Sequence, residues 1–265
     1  MLSRLAATAA ALVLIASGCS GSAQTAEPRD SSDSLETPKL GACRMLRPED
    51  IAKPDNSTAV VDCGEDHTAE TFAVGTFPED LGKGADIEDP DLGAYVYDTC
   101  SKKFQAFLGG DESLVMRSLL TWAWFRPSEE AWKKGARWYR CDVVAGTEES
   151  EDLRKLPDTA KGVLLGRGSD EWLSCANGKT VAGSEKVPCS EPHDWRAVTT
   201  IKVGREDDSY PGDRLVQVRT RDFCSDSVGA WMNYPVDYDF GYTYFHEAEW
   251  KAGNRRSICW ARTEK

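Results

Sequence analysis

The sequence predicts an α+β fold made of two tandem disulfide-stapled modules, each a mainly antiparallel sheet with one helix. Three observations predict it. The stretch VDCGEDH at residues 61–67 returns as VPCSEPH at 187–193, matching Val61, Cys63, Glu65 and His67 to Val187, Cys189, Glu191 and His193. The stretch WKKGARWYRC at 132–141 returns as WKAGNRRSIC at 250–259, matching Trp132, Lys133, Gly135, Arg137 and Cys141 to Trp250, Lys251, Gly253, Arg255 and Cys259. Nine cysteines occur, and the eight beyond residue 40 divide four and four across the acidic stretch 146–158. Two matches in the same order point to a duplicated module.

The chain opens with one basic side chain, Arg4, an apolar run from Leu5 to Ala16, and then Ser17, Gly18 and Cys19. That run is too short for a bilayer span, which needs about 20 residues, and suits a signal peptide over residues 1–18. Ala16-Ser17-Gly18-Cys19 resembles a bacterial lipobox, so Cys19 is expected to carry the lipid and to become the mature N-terminus. Residues 19–40 are rich in Ser, Thr, Asp and Glu and almost devoid of large apolar side chains. They read as a lipidated flexible tether with a reach of roughly 25 Å.

The first module is placed at residues 41–145. Thr71–Phe77 reads as a strand, being rich in β-branched and apolar residues. Leu92, Val96, Cys100, Phe104 and Leu108 then recur every four residues, the apolar stripe of a helix. Asp89 and Pro90 supply its N-cap and first residue, and Gly109-Gly110 its stop. Leu119–Phe125 and Arg137–Val144 complete the sheet. A linker follows at 146–164, then the second module at 165–265. There Ala197–Val203, Tyr242–Phe245 and Arg256–Ala261 read as strands, and Val216, Thr220, Cys224, Val228 and Met232 form the helix stripe, with Asp213 as cap. Each module thus reads strand, strand, helix, strand, strand. The helix cysteine faces inward in both, placed to staple helix to sheet.

Composition narrows the function. Forty-four acidic against 32 basic residues give a net charge of −12, which repels phosphate backbones and argues against nucleic acid as a partner. The even cysteine set, outside the cytoplasm, reads as a disulfide framework of Cys43, Cys63, Cys100, Cys141, Cys175, Cys189, Cys224 and Cys259. Four cysteines permit three pairings per module; first with second and third with fourth is the expectation. Oxidised cysteines are neither zinc ligands nor nucleophiles, so no metal, cofactor or thiol catalysis is expected at Cys63/His67 or Cys189/His193. G-x-S-x-G, S-x-x-K and H-E-x-x-H are absent. The histidines are expected to satisfy backbone groups of a turn beside the bridge, and Trp132 and Trp250 to pack on the sheet. The competing reading makes Glu65, His67, Glu191, His193, Trp132, Arg137, Trp250 and Arg255 a partner-binding surface.

A lipobox followed by two modules of the form G/L-x-C, V-x-C-x-E-x-H, C and W-x-x-G-x-R-x-x-x-C resembles the septum-formation domain family of actinobacterial envelope proteins. The resemblance covers about residues 41–145 and 170–263. It implies a place at the division septum and brings no catalytic residues with it. The function expected is that of a non-enzymatic lipoprotein on the outer face of the plasma membrane, binding an envelope protein or wall polymer. The alternatives are a cell-wall enzyme with an acid/His site between the modules, or a small-ligand carrier with a deep apolar pocket.

Overall fold

The computed structural model describes residues 30–146, 150–205, 207–251 and 253–263. Residues 1–18 and Cys19, the expected signal peptide and lipidation site, lie outside the described residues. The first module runs β1 (Cys43–Arg44), α1 (Pro48–Ile51), β2 (Val60–Val61), β3 (Ala69–Thr76), α2 (Glu79–Gly82), α3 (Pro90–Leu108), α4 (Glu112–Met116), β4 (Leu120–Phe125), α5 (Glu129–Lys133) and β5 (Trp138–Ala145). The second runs β6 (Ser174–Asn177), β7 (Glu185–Pro188), β8 (Trp195–Lys202), α6 (Asp213–Trp231), β9 (Phe240–Thr243), α7 (Glu247–Lys251) and β10 (Arg256–Arg262).

Both sheets are antiparallel and five-stranded, in the orders β2-β1-β3-β5-β4 and β7-β6-β8-β10-β9. Counted within its own module, each strand holds the same place. The correspondence extends to irregularities. The pairing of β3 with β5 slips at Phe72, and that of β10 with β8 slips at Val198, so equivalent residues are bulged in the two sheets. Each sheet has one strand more than expected, because β1 and β2, two residues each, and β6 and β7, four residues each, are too short to carry a readable alternation.

Helix α3 forms as its sequence demands. The Asp89 side chain accepts from the Asp91 amide, Pro90 opens the helix, and Gly109 closes it in the left-handed region at φ 76°. Its whole stripe of Leu92, Val96, Cys100, Phe104 and Leu108 is buried, each large apolar side chain contributing roughly 1.5–3 kcal/mol. In α6 the cap is Gly212, with Asp213 as first helical residue, a correction of one position. Val216, Thr220, Cys224 and Val228 are buried, and Met232 packs beside them just past the helix end. The bridges are Cys43–Cys63, Cys100–Cys141, Cys175–Cys189 and Cys224–Cys259. Two of them tie α3 to β5 and α6 to β10. With sequence separations of 14 to 41 residues, each contributes roughly 3–4 kcal/mol by restricting the unfolded chain.

Two segments behave differently from the expectation. From residue 30 onward, the expected free tether is packed on the first module. Asp30 Oδ1 accepts from Arg44 at 3.0 Å, Ser34 O accepts from the Trp138 indole at 2.8 Å, and Ser32 bonds Ser57 at 2.7 Å. The polar composition that reads as disorder is the set of acceptors that a buried guanidinium and indole need. These acceptors cover a buried charge cluster in which Arg140 meets Asp142 at 3.0 Å and Arg44 meets it at 3.9 Å. Burial holds the Arg44 guanidinium below its ordinary value, against the pull of Asp142.

The expected linker is likewise a strap. Leu153, Leu156, Ala160 and Leu164 are buried. The Leu156 amide donates to His67 O, the Gly162 amide to Phe107 O and the Leu164 amide to Leu108 O. Glu70 anchors the middle, its carboxylate accepting from the Ala160 amide at 2.7 Å and the Thr159 hydroxyl at 2.9 Å. Small and apolar residues spaced along an acidic stretch were hidden from a compositional reading. The strap also merges the modules: Leu156, Ala160, Leu164, Trp172, Leu173 and the Cys175–Cys189 bridge share one core with α3 and the first sheet. Arg256 with Glu112 at 2.6 Å, and Thr200 with Ser113 at 2.9 Å, add polar contacts across the junction.

Candidate functional site: the cleft at the module junction

His67 and His193, the repeated turn histidines, are both buried at the start of the central strands. Each ring Nδ1 lies 2.7–2.8 Å from the backbone carbonyl two residues earlier, Glu65 O or Glu191 O. A carbonyl only accepts, so Nδ1 carries the hydrogen, and in the neutral ring the lone pair is on Nε2. The contact is made by the glutamate backbone; both glutamate side chains are exposed. Glu191 pairs with Arg154 at 3.2 Å across half-exposed surface, worth less than about 1 kcal/mol.

The Trp-Lys-x-Gly-x-Arg elements form internal clamps. Arg137 stacks on the Trp132 ring at 3.9 Å and donates to the carbonyls of Gly82, Trp132 and Ala136. Arg255 stacks on Trp250 at 3.5 Å and donates to the carbonyls of Trp250 and Asn254. Gly135 at φ 105° and Gly253 at φ 98° make the turn between, a conformation that L side chains rarely adopt. Trp132, Trp250 and Arg255 are buried, and Arg137 is half-buried. Of the eight candidates, Trp132 lines a cavity of about 430 Å³ beside α5, and His193 lines a second, larger cavity.

That cavity is an open cleft of about 770 Å³ at the module junction. One wall comes from Asp111, Leu114 and Arg117 around α4, the other from His193, Arg196, Ala197 and Val198 of the second sheet; the segment 166–173, Trp231 and Thr263 complete it. Leu114, Leu173, Ala197 and Val198 give it an apolar floor, and Trp231, half exposed, stands at its rim. Its charge is mixed but biased. Asp111 is engaged in capping α4 through the Leu114 amide, and Asp170 pairs with Arg196. Arg117 donates from Nε to Ser113 O, and Arg167 is exposed. Burial and the nearby Arg196 hold Arg117 below its ordinary value, opposed by Asp111. Thr263 Oγ1 is buried in this lining without a hydrogen-bond partner among the described residues.

Sequence reasoning missed Arg196, Arg117, Arg167 and Trp231. The signal for Arg196 was present three residues after the repeated histidine, where the first module has Glu70 and the second has arginine. Among the described residues no group of three or more His, Cys, Asp and Glu side chains is arranged to hold a metal ion, and no helix is long and apolar enough to cross a membrane.

Against known families, the model described as septum formation matches residues 40–259 in one span that runs through both modules and holds the cleft lining except Thr263. Neither a curated protein nor a solved structure matches.

Proposed function

The chain belongs to the septum-formation family, which suggests a role in septum formation, and from that premise we propose that it is a non-catalytic envelope protein that binds a partner in the cleft at its module junction. In this reading Cys19 carries a lipid that holds the protein on the outer face of the plasma membrane. The observation that carries the binding reading is the cleft itself. It is open, floored by apolar side chains and edged by arginines and a half-exposed tryptophan, the residue types enriched where partners dock.

The enzyme reading draws on one observation, that His193 lines this same cleft with Nδ1 fixed and, in the neutral ring, the lone pair on Nε2. It is the weaker reading because the two nearby carboxylates are already committed, Asp111 to the α4 cap and Asp170 to Arg196. Growth-stage imaging of a tagged protein at native level, with membrane fractionation, tests the proposal. Enrichment at division septa and membrane retention that Cys19→Ser abolishes are expected. An even distribution, or membrane retention unaffected by Cys19→Ser, overturns it. Retention of septal function by His193→Ala separates binding from catalysis.

A further inference from the structure

The two modules can be compared residue by residue at the cleft. In the first module, the strap formed by residues 154–164 lies over His67, Glu70 and Phe107, shares a core with Phe72 and meets the chain at Ala145. The Leu156 amide bonds His67 O, Thr159 and Ala160 bond the Glu70 carboxylate, the Gly162 amide bonds Phe107 O, and the Arg154 amide bonds Ala145 O. Repeat spacing assigns each of these a counterpart. His67 corresponds to His193, Glu70 to Arg196 and the bulged Phe72 to the bulged Val198. Register supports it independently, since Cys43 faces Glu70 and Cys175 faces Arg196. Along the equivalent helices, aligned at Cys100 and Cys224, Phe107 corresponds to Trp231; along the last strands, aligned at Cys141 and Cys259, Ala145 corresponds to Thr263.

All five counterparts line the open cleft. The groove that the first module fills with its own chain is therefore the groove that the described residues of the second module leave open. Phe107 is largely covered where Trp231 is half exposed. The His193 carbonyl, counterpart of the acceptor that Leu156 uses, receives no backbone amide among the described residues.

Resting on the proposed binding role of this cleft, we infer that its occupant is an extended, acidic polypeptide segment of a partner protein, laid across His193, Arg196 and Trp231 as the strap is laid across His67, Glu70 and Phe107. The polypeptide class follows from the template, because the same groove already holds polypeptide in the first module. The acidic character follows from the inversion at one position. Glu70 accepts from an amide and a hydroxyl, whereas Arg196 can only donate and calls for an acceptor, best a carboxylate. Asp170 occupies one nitrogen of Arg196, while Arg117 and Arg167 add positive charge to the same lining. β10 covers one edge of β8 from Trp195 to Lys202 and β6 pairs with the other edge at Trp195 and Arg196, so at Arg196 the segment is held through side chains and, beside it, the His193 carbonyl.

The test uses the full soluble chain beginning at residue 20 and synthetic peptides of the strap sequence 151–164. One peptide carries Thr159→Asp, one carries Thr159→Lys, and a soluble wall fragment with free carboxylates serves as a third probe. Calorimetric titration is expected to show the acidic peptide binding and the basic one not. Arg196→Glu should weaken the acidic peptide at least about tenfold and favour the basic one. Arg167→Glu, exposed and so without consequence for folding, should weaken the acidic peptide up to about fivefold. Binding that ignores the charge of the peptide and both substitutions overturns the inference. Binding of the wall fragment alone overturns the peptide occupant while leaving the cleft as a binding site. Failure of all three probes overturns the occupant and removes support from the cleft reading as well.

Discussion

Replacing Glu70 by alanine should release the strap, and the size of the effect follows from the two hydrogen bonds that the substitution removes. The carboxylate is buried, and it receives the Ala160 amide at 2.7 Å and the Thr159 hydroxyl at 2.9 Å. Hydrogen bonds to a charged acceptor contribute roughly 1.5–3 kcal/mol each, and a stranded buried amide costs roughly 1–3 kcal/mol. Partial rehydration of a detached strap limits the sum, so a loss of about 3 kcal/mol is expected for Glu70→Ala. Glu70→Gln, which keeps one carbonyl acceptor, should lose about half as much. Since strap and modules share one core, unfolding of the oxidised protein in urea should remain a single transition with a lowered midpoint. Hydrogen exchange adds the local readout: the amides of Leu156, Ala160, Gly162 and Leu164 should lose protection while β5 keeps its own. A midpoint shift equivalent to less than about 0.5 kcal/mol, with strap protection unchanged, would refute the anchoring role of Glu70.

Asp142→Asn should cost roughly 3–5 kcal/mol in chemical denaturation, because it leaves the fully buried Arg44 and Arg140 short of their shared carboxylate; a cost under about 1 kcal/mol would mean that the cluster relaxes freely. The paired change Cys224→Ser with Cys259→Ser should lower stability by roughly 3–4 kcal/mol, read in the same titration, and make the second module the more sensitive to proteolysis. Gly135→Ala meets no neighbouring atom but forces alanine to φ 105°, so a loss of about 1 kcal/mol in thermal unfolding is expected and no loss would contradict the turn geometry. Burial and the hydrogen bond to Asp213 push the Tyr210 phenol up to about 12. A raised folded value means that its contribution is complete below the ordinary phenol range near 10 and disappears as pH rises through about 12; burial also raises Tyr97 and Tyr139, so alkaline absorbance titration should show several late tyrosines, of which Asp213→Asn brings one forward.

Much of the fold was legible because its signals are local and periodic. The α3 stripe, the Asp89-Pro90 start and the Gly109 stop each depend on neighbours within two turns, and all three are found in place. The bridges agree with the expected pairing because each half of the chain closes its own loops. What stayed hidden depends on distant partners. Ser32 and Ser34 look like tether residues until Ser57 and Trp138 are brought beside them. Residues 153–164 look like a linker because the groove that buries Leu156 and Ala160 is assembled from β3 and α3, far away in sequence. The repeated Cys, Glu and His drew attention to what the modules share. The candidate site instead rests on where they differ, at Glu70 against Arg196 and Phe107 against Trp231. Those differences acquire meaning only once one groove is seen filled and the other open.

Heteronuclear NMR of the full soluble chain, titrated with the Thr159→Asp strap peptide, is the most direct check that the second module's groove is the working surface. Saturable shifts of the Trp231 indole and of the amides of Arg196 and Thr263, with those of Leu156 and Ala160 unmoved, are the predicted result. Shifts confined to other surfaces, or displacement of the native strap from the first module, would contradict it.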